Sequence, residues 1–197
     1  MSHHQYHTEA FVLGSMPAGE SNKYIDMFTA DLGRVRAFAR SVREMRSKLR
    51  FSLQHFSLSE VSLVRGKEVW RVVGAQLKHS LHYDIPNRHG ERDMMLRLFS
   101  LLRRLLNGEE ENKSLFRTIS DALSFLRENV LSADEVHNFE CLIALRILYN
   151  LGYLAKDTEN TRFLDTFDVN KELISLLSPM RYDIVKQINL SLQESQL

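Results

Sequence analysis

Between Arg34 and Arg50 the chain reads RVRAFARSVREMRSKLR, seven Lys or Arg against one acid, Glu44, in a protein whose net charge is only +1. Arg34, Arg36, Phe38 and Arg40 alternate with Val35, Ala37 and Ala39, the period of a strand with one basic face and one small apolar face. Arg43, Arg46, Lys48 and Arg50 follow in a loop. Guanidinium groups offer fixed donors to phosphate and stack on bases, and a phenyl ring stacks on a base for about 1–3 kcal/mol. These residue types in this order suit a grip on a polyanion, nucleic acid above all. A solvated edge strand also carries charge to prevent aggregation, but seven cations exceed what edge protection needs.

Other constellations carry less. His79, His82 and His89 with Asp84 have metal-binding residue types, yet no helix or paired strand fixes their geometry, and they read as a polar linker. His3, His4 and His7 read as a flexible polar terminus. His137 and Cys141 stand four apart on a helix and could face each other, but a catalytic pair needs an orienting group and a pocket as well. Cys141 is the single cysteine, which excludes an internal disulfide and a multi-cysteine zinc site. No Walker-type phosphate loop, HExxH helix or GxSxG elbow is present. The expectation is a protein that is not an enzyme, with no cofactor and no metal.

The elements that must position these residues change character midway. Ala10–Leu13 reads as a first strand closed by Gly14-Ser15-Met16-Pro17 and Gly19-Glu20-Ser21-Asn22; Tyr24–Thr29 reads as a second. Asp31-Leu32-Gly33 turns into the Arg34–Arg40 strand. Phe51–Val64 shifts its apolar phase between Phe56/Leu58 and Val61/Leu63, the mark of a bulge, and Arg65-Gly66-Lys67-Glu68 turns into Val69–Val73. Five short strands in so few residues predict a small closed barrel. Beyond a link at His79–Gly90 the period becomes 3.6. Helices are expected from about Gly90 to Leu106, around Leu115–Leu126, from about Asp134 to Leu151, and near Lys171–Leu177 and Met180–Leu192. Ser132 and Glu135 have capping-box spacing, Gly152 stands at a helix end, and Pro179 opens a helix.

The fold class is therefore α+β, with a basic barrel over residues 1–80 and an all-helical bundle over 81–197. Residues 1–80 hold 12 Lys/Arg against 7 Asp/Glu, and the rest 14 against 18, so a basic part precedes a mildly acidic one. No apolar run approaches the roughly 20 residues that span a bilayer, and a cytoplasmic protein with no membrane partner is expected.

The ordered strings resemble the bacterial recombination mediator family RecO. Over about 65 residues the resemblance rests on Gly19-Glu20-Ser21, Phe28-Thr29 with Gly33, the basic Arg43–Arg46, Ser47-Lys48-Leu49, Phe56 and Val64-Arg65-Gly66. More loosely, Asn112-Lys113-Ser114-Leu115-Phe116, Phe139–Leu142, Leu148 and Leu151-Gly152-Tyr153 are similar to the family's helical half. In many relatives a four-cysteine zinc element follows that tyrosine. Here Leu154-Ala155-Lys156-Asp157-Thr158 has no cysteine, and zinc binding is not carried over.

The resemblance implies an OB-fold followed by a helical domain, and a bacterial, nucleoid-associated DNA repair and recombination factor. Such a factor binds single- and double-stranded DNA, anneals complementary strands and helps load recombinase onto strands coated by single-strand-binding protein, working with RecR. The DNA-binding residues would be Arg34, Arg36, Phe38, Arg40, Arg43, Arg46, Lys48 and Arg50. Two alternatives stand beside this: an adaptor acting through the helical half, and an RNA-binding OB-fold protein.

Overall fold

Period-two alternation in the first part of the chain closes a sheet on itself. The computed structural model describes residues 4–158 and 160–194. Five strands, β1 (Gln5–Ala18), β2 (Asn22–Thr29), β3 (Gly33–Ala39), β4 (Ser57–Arg65) and β5 (Trp70–Ser80), form a closed barrel in the order β1-β2-β3-β5-β4. All neighbours are antiparallel except β3 and β5, which run parallel and meet only at Ala37–Trp70 and Phe38–Arg71. Five strands closed in this order are an OB-fold. Its core takes the inward residues of every strand: Ala10 and Val12, Ile25 and Met27, Val35, Ala37 and Ala39, Val61 and Leu63, Trp70 and Val72.

The strands differ from the sequence expectation chiefly in length. β1 begins at Gln5, so His7 lies in the ladder, where its Nδ1 is 2.9 Å from Ser62 Oγ, and not in a flexible terminus. His3 lies outside the described residues. Gly14-Ser15-Met16-Pro17 is not a turn: the strand runs on through it, the register slips between Val12 and Gly14, and the reversal comes at Gly19, whose φ is +73°. The slip leaves Leu13 as the extra residue of a bulge inside the strand. β4 starts at Ser57 because Phe56 stands at φ +63°, and it bends by register slips between Leu58 and Ser59 and between Ser62 and Leu63. β5 reaches Ser80, and the link is correspondingly short.

Helices complete the chain: α1 (Leu49–Ser52), α2 (Leu81–Asp84), α3 (His89–Leu105), α4 (Lys113–Glu128), α5 (Ala133–Asn150), α6 (Thr161–Leu164), α7 (Lys171–Leu176), a 3-10 turn Ser178–Met180 and α8 (Arg181–Glu194). The α5 capping box is formed: Ser132 Oγ accepts from Glu135 N–H and the Glu135 carboxylate from Ser132 N–H. Helix α5 is the axis of its unit, burying Phe139, Leu142, Ile143, Leu145, Ile147 and Leu148. Among the described residues no helix is long and apolar enough to cross a membrane.

By contacts the chain divides into two units, residues 1–84 with 107–112, and residues 85–106 with 113–197. The segment 107–112 thus belongs with the barrel. Arg34 N–H donates to the Gly108 carbonyl at 3.1 Å, and Trp70 Nε1 donates to Glu109 Oε1 at 2.9 Å. Gly33, at φ +66°, has the Glu110 carbonyl so close that a Cβ would lie 2.2 Å from its oxygen. Only glycine admits that approach.

Candidate nucleic-acid interface

Alternation along β3 is what aims the cations. Val35, Ala37 and Ala39 are fully buried, which leaves Arg34, Arg36 and Phe38 on the outer face, with Arg40 just past the strand end. Arg36 and Arg40 are exposed, while Arg34 is half-buried. The Arg34 guanidinium is held bidentately, Nε to Asp26 Oδ1 at 3.0 Å and Nη2 to Asp26 Oδ2 at 2.7 Å. Its hydrogen bonds to that carboxylate outweigh the effect of burial and hold its proton more tightly than usual. Arg34 therefore neutralises Asp26 within the sheet, whereas Arg36 faces outward.

The loop after β3 is pinned at its start. Ser41, at φ +52°, donates its N–H to Asn22 Oδ1 at 2.9 Å. Arg43 N–H donates to the Ser21 carbonyl at 2.9 Å and its Nη1 to the Gly19 carbonyl at 3.1 Å. The Gly19-Glu20-Ser21 turn thus serves as the loop's anchor, and Arg43 is partly committed to it. Arg46, Lys48 and Arg50 are exposed. Among the described residues, no acidic partner stands within ion-pair distance of Arg36, Arg40, Arg46, Lys48 or Arg50.

The eight residues do not line one groove. Phe38 and Arg40 share a groove of about 600 Å³ with Asn22, Val69, Arg71, Val72 and Val73. Arg43 and Arg50 share another, of about 440 Å³, with Lys23, Val42, Leu53, Gln54 and His55. The consecutive residues Asn22 and Lys23 border one groove each. His55 is fixed there by a 2.8 Å contact from its Nε2 to Ser15 Oγ.

Register adds partners that the sequence reading did not name. Met16, Tyr24 and Phe38 lie side by side across β1, β2 and β3, and Arg71 follows Phe38 on β5. The Tyr24 and Phe38 rings meet in a T-shaped pair with centroids 5.6 Å apart. Tyr24 was within reach of sequence reasoning, since Ile25 and Met27 point inward and the Asp31-Leu32 turn sets the register. Arg71 was not, because the parallel β3–β5 contact has no local signal.

Charge is also distributed otherwise than the linear count suggests. Glu109, Glu110 and Glu111 belong to the barrel unit, which holds 12 Lys/Arg against 11 Asp/Glu. Several of the unit's acids are engaged away from the basic run. Glu109 binds Arg65 at 2.8 Å, Lys78 pairs with Glu9 and Glu60, and Asp31 accepts from Thr8 at 2.7 Å. The unit is therefore polarised, with a local positive excess on a nearly neutral body.

The histidine candidates do not converge. His79 Nδ1 is 3.2 Å from Asp84 Oδ2, His82 packs edge-on against Tyr83, and His89 Nδ1 is 2.7 Å from Arg92. Among the described residues no three His, Cys, Asp or Glu side chains cluster as a metal site would. Burial first, then the charge of Glu140, pushes the Cys141 thiol up, away from the thiolate a nucleophile needs. The segment after Tyr153 does not fit zinc: it has no thiol, and the polar groups of Lys156, Asp157 and Asn160 are already used. Asp157 and Asn160 exchange backbone-to-side-chain bonds of 2.8 and 2.9 Å, and Lys156 pairs with Asp165. Beneath them Arg146, buried, donates to the carbonyls of Phe163, Phe167 and Asp168 at 2.8, 3.1 and 3.1 Å. Burial lowers its proton affinity to about 10.

Strand order and barrel closure define an OB-fold protein with an appended helical unit. Residues 1–81 match the family described as recombination protein O N terminal. A DNA repair protein RecO of Dehalococcoides mccartyi is 41% identical over 73 residues, 37% of this chain and 29% of that protein. That of Thermodesulfovibrio yellowstonii is 27% identical over 154 residues, covering 76% of this chain and 58% of the relative. For Heliobacterium modesticaldum the figures are 30% over 151 residues, 75% and 52%. Residues 1–81 are thus similar to the amino-terminal domain of the RecO family, and the similarity to RecO proteins runs on beyond them. The matched part spans little more than half the length of the longer-matching relatives.

Proposed function

We propose that this chain is a DNA repair and recombination factor. It binds single- and double-stranded DNA, anneals complementary strands and helps load recombinase onto strands coated by single-strand-binding protein, with RecR and without enzymatic chemistry of its own. One observation carries the reading: Arg36, Arg40, Arg46, Lys48 and Arg50 stand exposed and free of acidic partners on a RecO-type barrel. Cations left free in this way neutralise phosphates and release counterions, and by lowering repulsion they let two strands approach. Cytoplasmic action at the nucleoid, and the two protein partners, rest on the likeness to RecO.

A mobility-shift titration on a single-stranded oligonucleotide tests it. Affinity should fall with salt at a log–log slope of about −0.7 per phosphate contact. Joint replacement of Arg36, Arg40, Arg46, Lys48 and Arg50 by Ala should flatten that slope and abolish annealing. Annealing that persists in this variant rejects the mechanism. An RNA-binding role is decided by competition between DNA and RNA of one sequence.

A second reading, an adaptor working through the helical unit, is favoured by one feature. A groove of about 700 Å³ lies between α5 and α8, lined by Cys141, Ala144, Val185 and Ile188 together with Asp134, Glu140 and Arg181. An adaptor would give no mobility shift at moderate salt yet still bind single-strand-binding protein.

A further inference from the structure

We infer that the groove bounded by Lys23, Arg43, Arg50 and His55 is a site for a phosphate monoester, the phosphorylated end of a DNA strand. The inference rests on the DNA-binding reading and deepens it: the exposed cations hold phosphates along a strand, and this groove holds the one at its end. Lys23 stands opposite Ala39 in the ladder and on the same side of β2 as Ile25 and Met27, all three of which are fully buried. Its side chain therefore leaves from the end of the barrel and not from the outer face. Val42 and Leu53, only 4% and 3% exposed, belong to the barrel core and give the groove its apolar floor.

Four separate parts of the chain bring nitrogen donors to this one concavity: Lys23 from β2, Arg43 from the loop after β3, Arg50 from α1 and His55 from the turn before β4. Among the described residues no carboxylate lines it. Two of the donors are already set. Arg43 is tied by its N–H to the Ser21 carbonyl and by Nη1 to the Gly19 carbonyl, and His55 is held by Ser15. An anion binding there orders little that is not ordered beforehand. A phosphate inside a strand carries one charge and is flanked by neighbours on both sides. A monoester at neutral pH carries nearly two, with three acceptor oxygens on one phosphorus. Three permanent cations and a histidine around a volume of about 440 Å³ match the second, where charge is concentrated and the room is that of a small ligand. Asn22, the residue before Lys23, borders the groove of Phe38 and Arg40, which sets the two grooves side by side. That adjacency favours the end of a bound strand over a free phosphate.

Fluorescence anisotropy on oligothymidylates tests the inference, with strands phosphorylated at one end or the other, hydroxyl-ended strands of the same length, and a hydroxyl-ended strand longer by a single nucleotide. The longer strand carries as many phosphate groups as the phosphorylated ones, so it controls for charge alone. A phosphorylated strand should bind about tenfold tighter than that control. Lys23→Met, which keeps the aliphatic stem, and His55→Ala should each erase most of the advantage. Both should leave the hydroxyl-ended strands and the unfolding midpoint unchanged. Thymidine monophosphate and inorganic phosphate should compete at least about tenfold less well than the phosphorylated strand. Equal competition by either makes the free anion the ligand and overturns the assignment to a strand end. Equal affinity of the phosphorylated strands and the longer control, or an advantage that survives both substitutions, overturns the site and leaves the cationic grip standing. Wild-type affinity for the hydroxyl-ended strand after joint Ala replacement of Arg36, Arg40, Arg46, Lys48 and Arg50 overturns the underlying DNA-binding reading instead.

Discussion

Asp26 and Arg34 occupy neighbouring strands, and each side chain covers the other from water, with 11% and 24% of their surfaces exposed. Removing the guanidinium leaves a largely buried carboxylate without its bidentate donor, at a cost of about 1–3 kcal/mol. Arg34→Ala should therefore lower the unfolding midpoint by that free energy in urea and leave the salt slope of DNA binding intact. Arg36→Ala should do the reverse. Its effect on stability should stay within about 0.5 kcal/mol, while the slope falls by about 0.7 if its side chain meets one phosphate. The alternation of β3 was legible in the sequence because its inward positions, Val35, Ala37 and Ala39, are small and apolar throughout. The division of labour between Arg34 and Arg36 was not, because Asp26 is eight positions away and reaches Arg34 only once the hairpin has formed.

Long elements were the readable ones. Helices α3, α4 and α5 carry enough turns for a 3.6-residue period to show, and Ser132, Glu135 and Gly152 mark the ends of α5 through backbone chemistry that acts locally. The four-residue helices α1, α2 and α6 contain barely one turn, too few to display any period. What orders the stretch around α6 is a long-range device: Arg146, on α5, gathers three carbonyls that lie 17 to 22 positions further on. This arginine draws the loop towards one point. Arg146→Ala should cost about 3 kcal/mol or more, since three charge-assisted bonds vanish together. Protection of amides in residues 160–168 against hydrogen exchange should be lost before that of α5.

For the molecule as a whole, response to acid follows from a clasp in the helical unit. Glu91 is buried at the start of α3, where its Oε1 accepts from Arg88 Nε at 3.0 Å and from Leu131 N–H at 3.3 Å. Arg88 also donates to the carbonyls of Leu126 and Asn129. Burial by itself would raise the carboxyl's pKa, but hydrogen bonds from its own backbone N–H, from Arg88 and from Leu131, with the charge of Arg88, bring it below 4.5. A carboxylate lowered on folding contributes stability that is complete above the unfolded value and lost as pH falls through the folded one. Helical circular dichroism in moderate urea should therefore decline as pH drops below about 4.5. Glu91→Gln should flatten that decline and lower stability at neutral pH. The charge count along the chain foretold none of this polarity, because Glu109, Glu110 and Glu111 follow α3 in sequence yet fold with the barrel.

That same short segment bears on where such a chain can be cut. The backbone passes from one unit to the other three times, after residues 84, 106 and 112. The family match ends at residue 81, well before Glu109 supplies the carboxylate that binds both Trp70 and Arg65. A gene fragment cut at the edge of the family match would thus leave Trp70 and Arg65 without that carboxylate, and a transplanted residue 85–197 segment would bring with it a piece of this barrel. The stretch that matches the family and the stretch that folds as a unit have different ends.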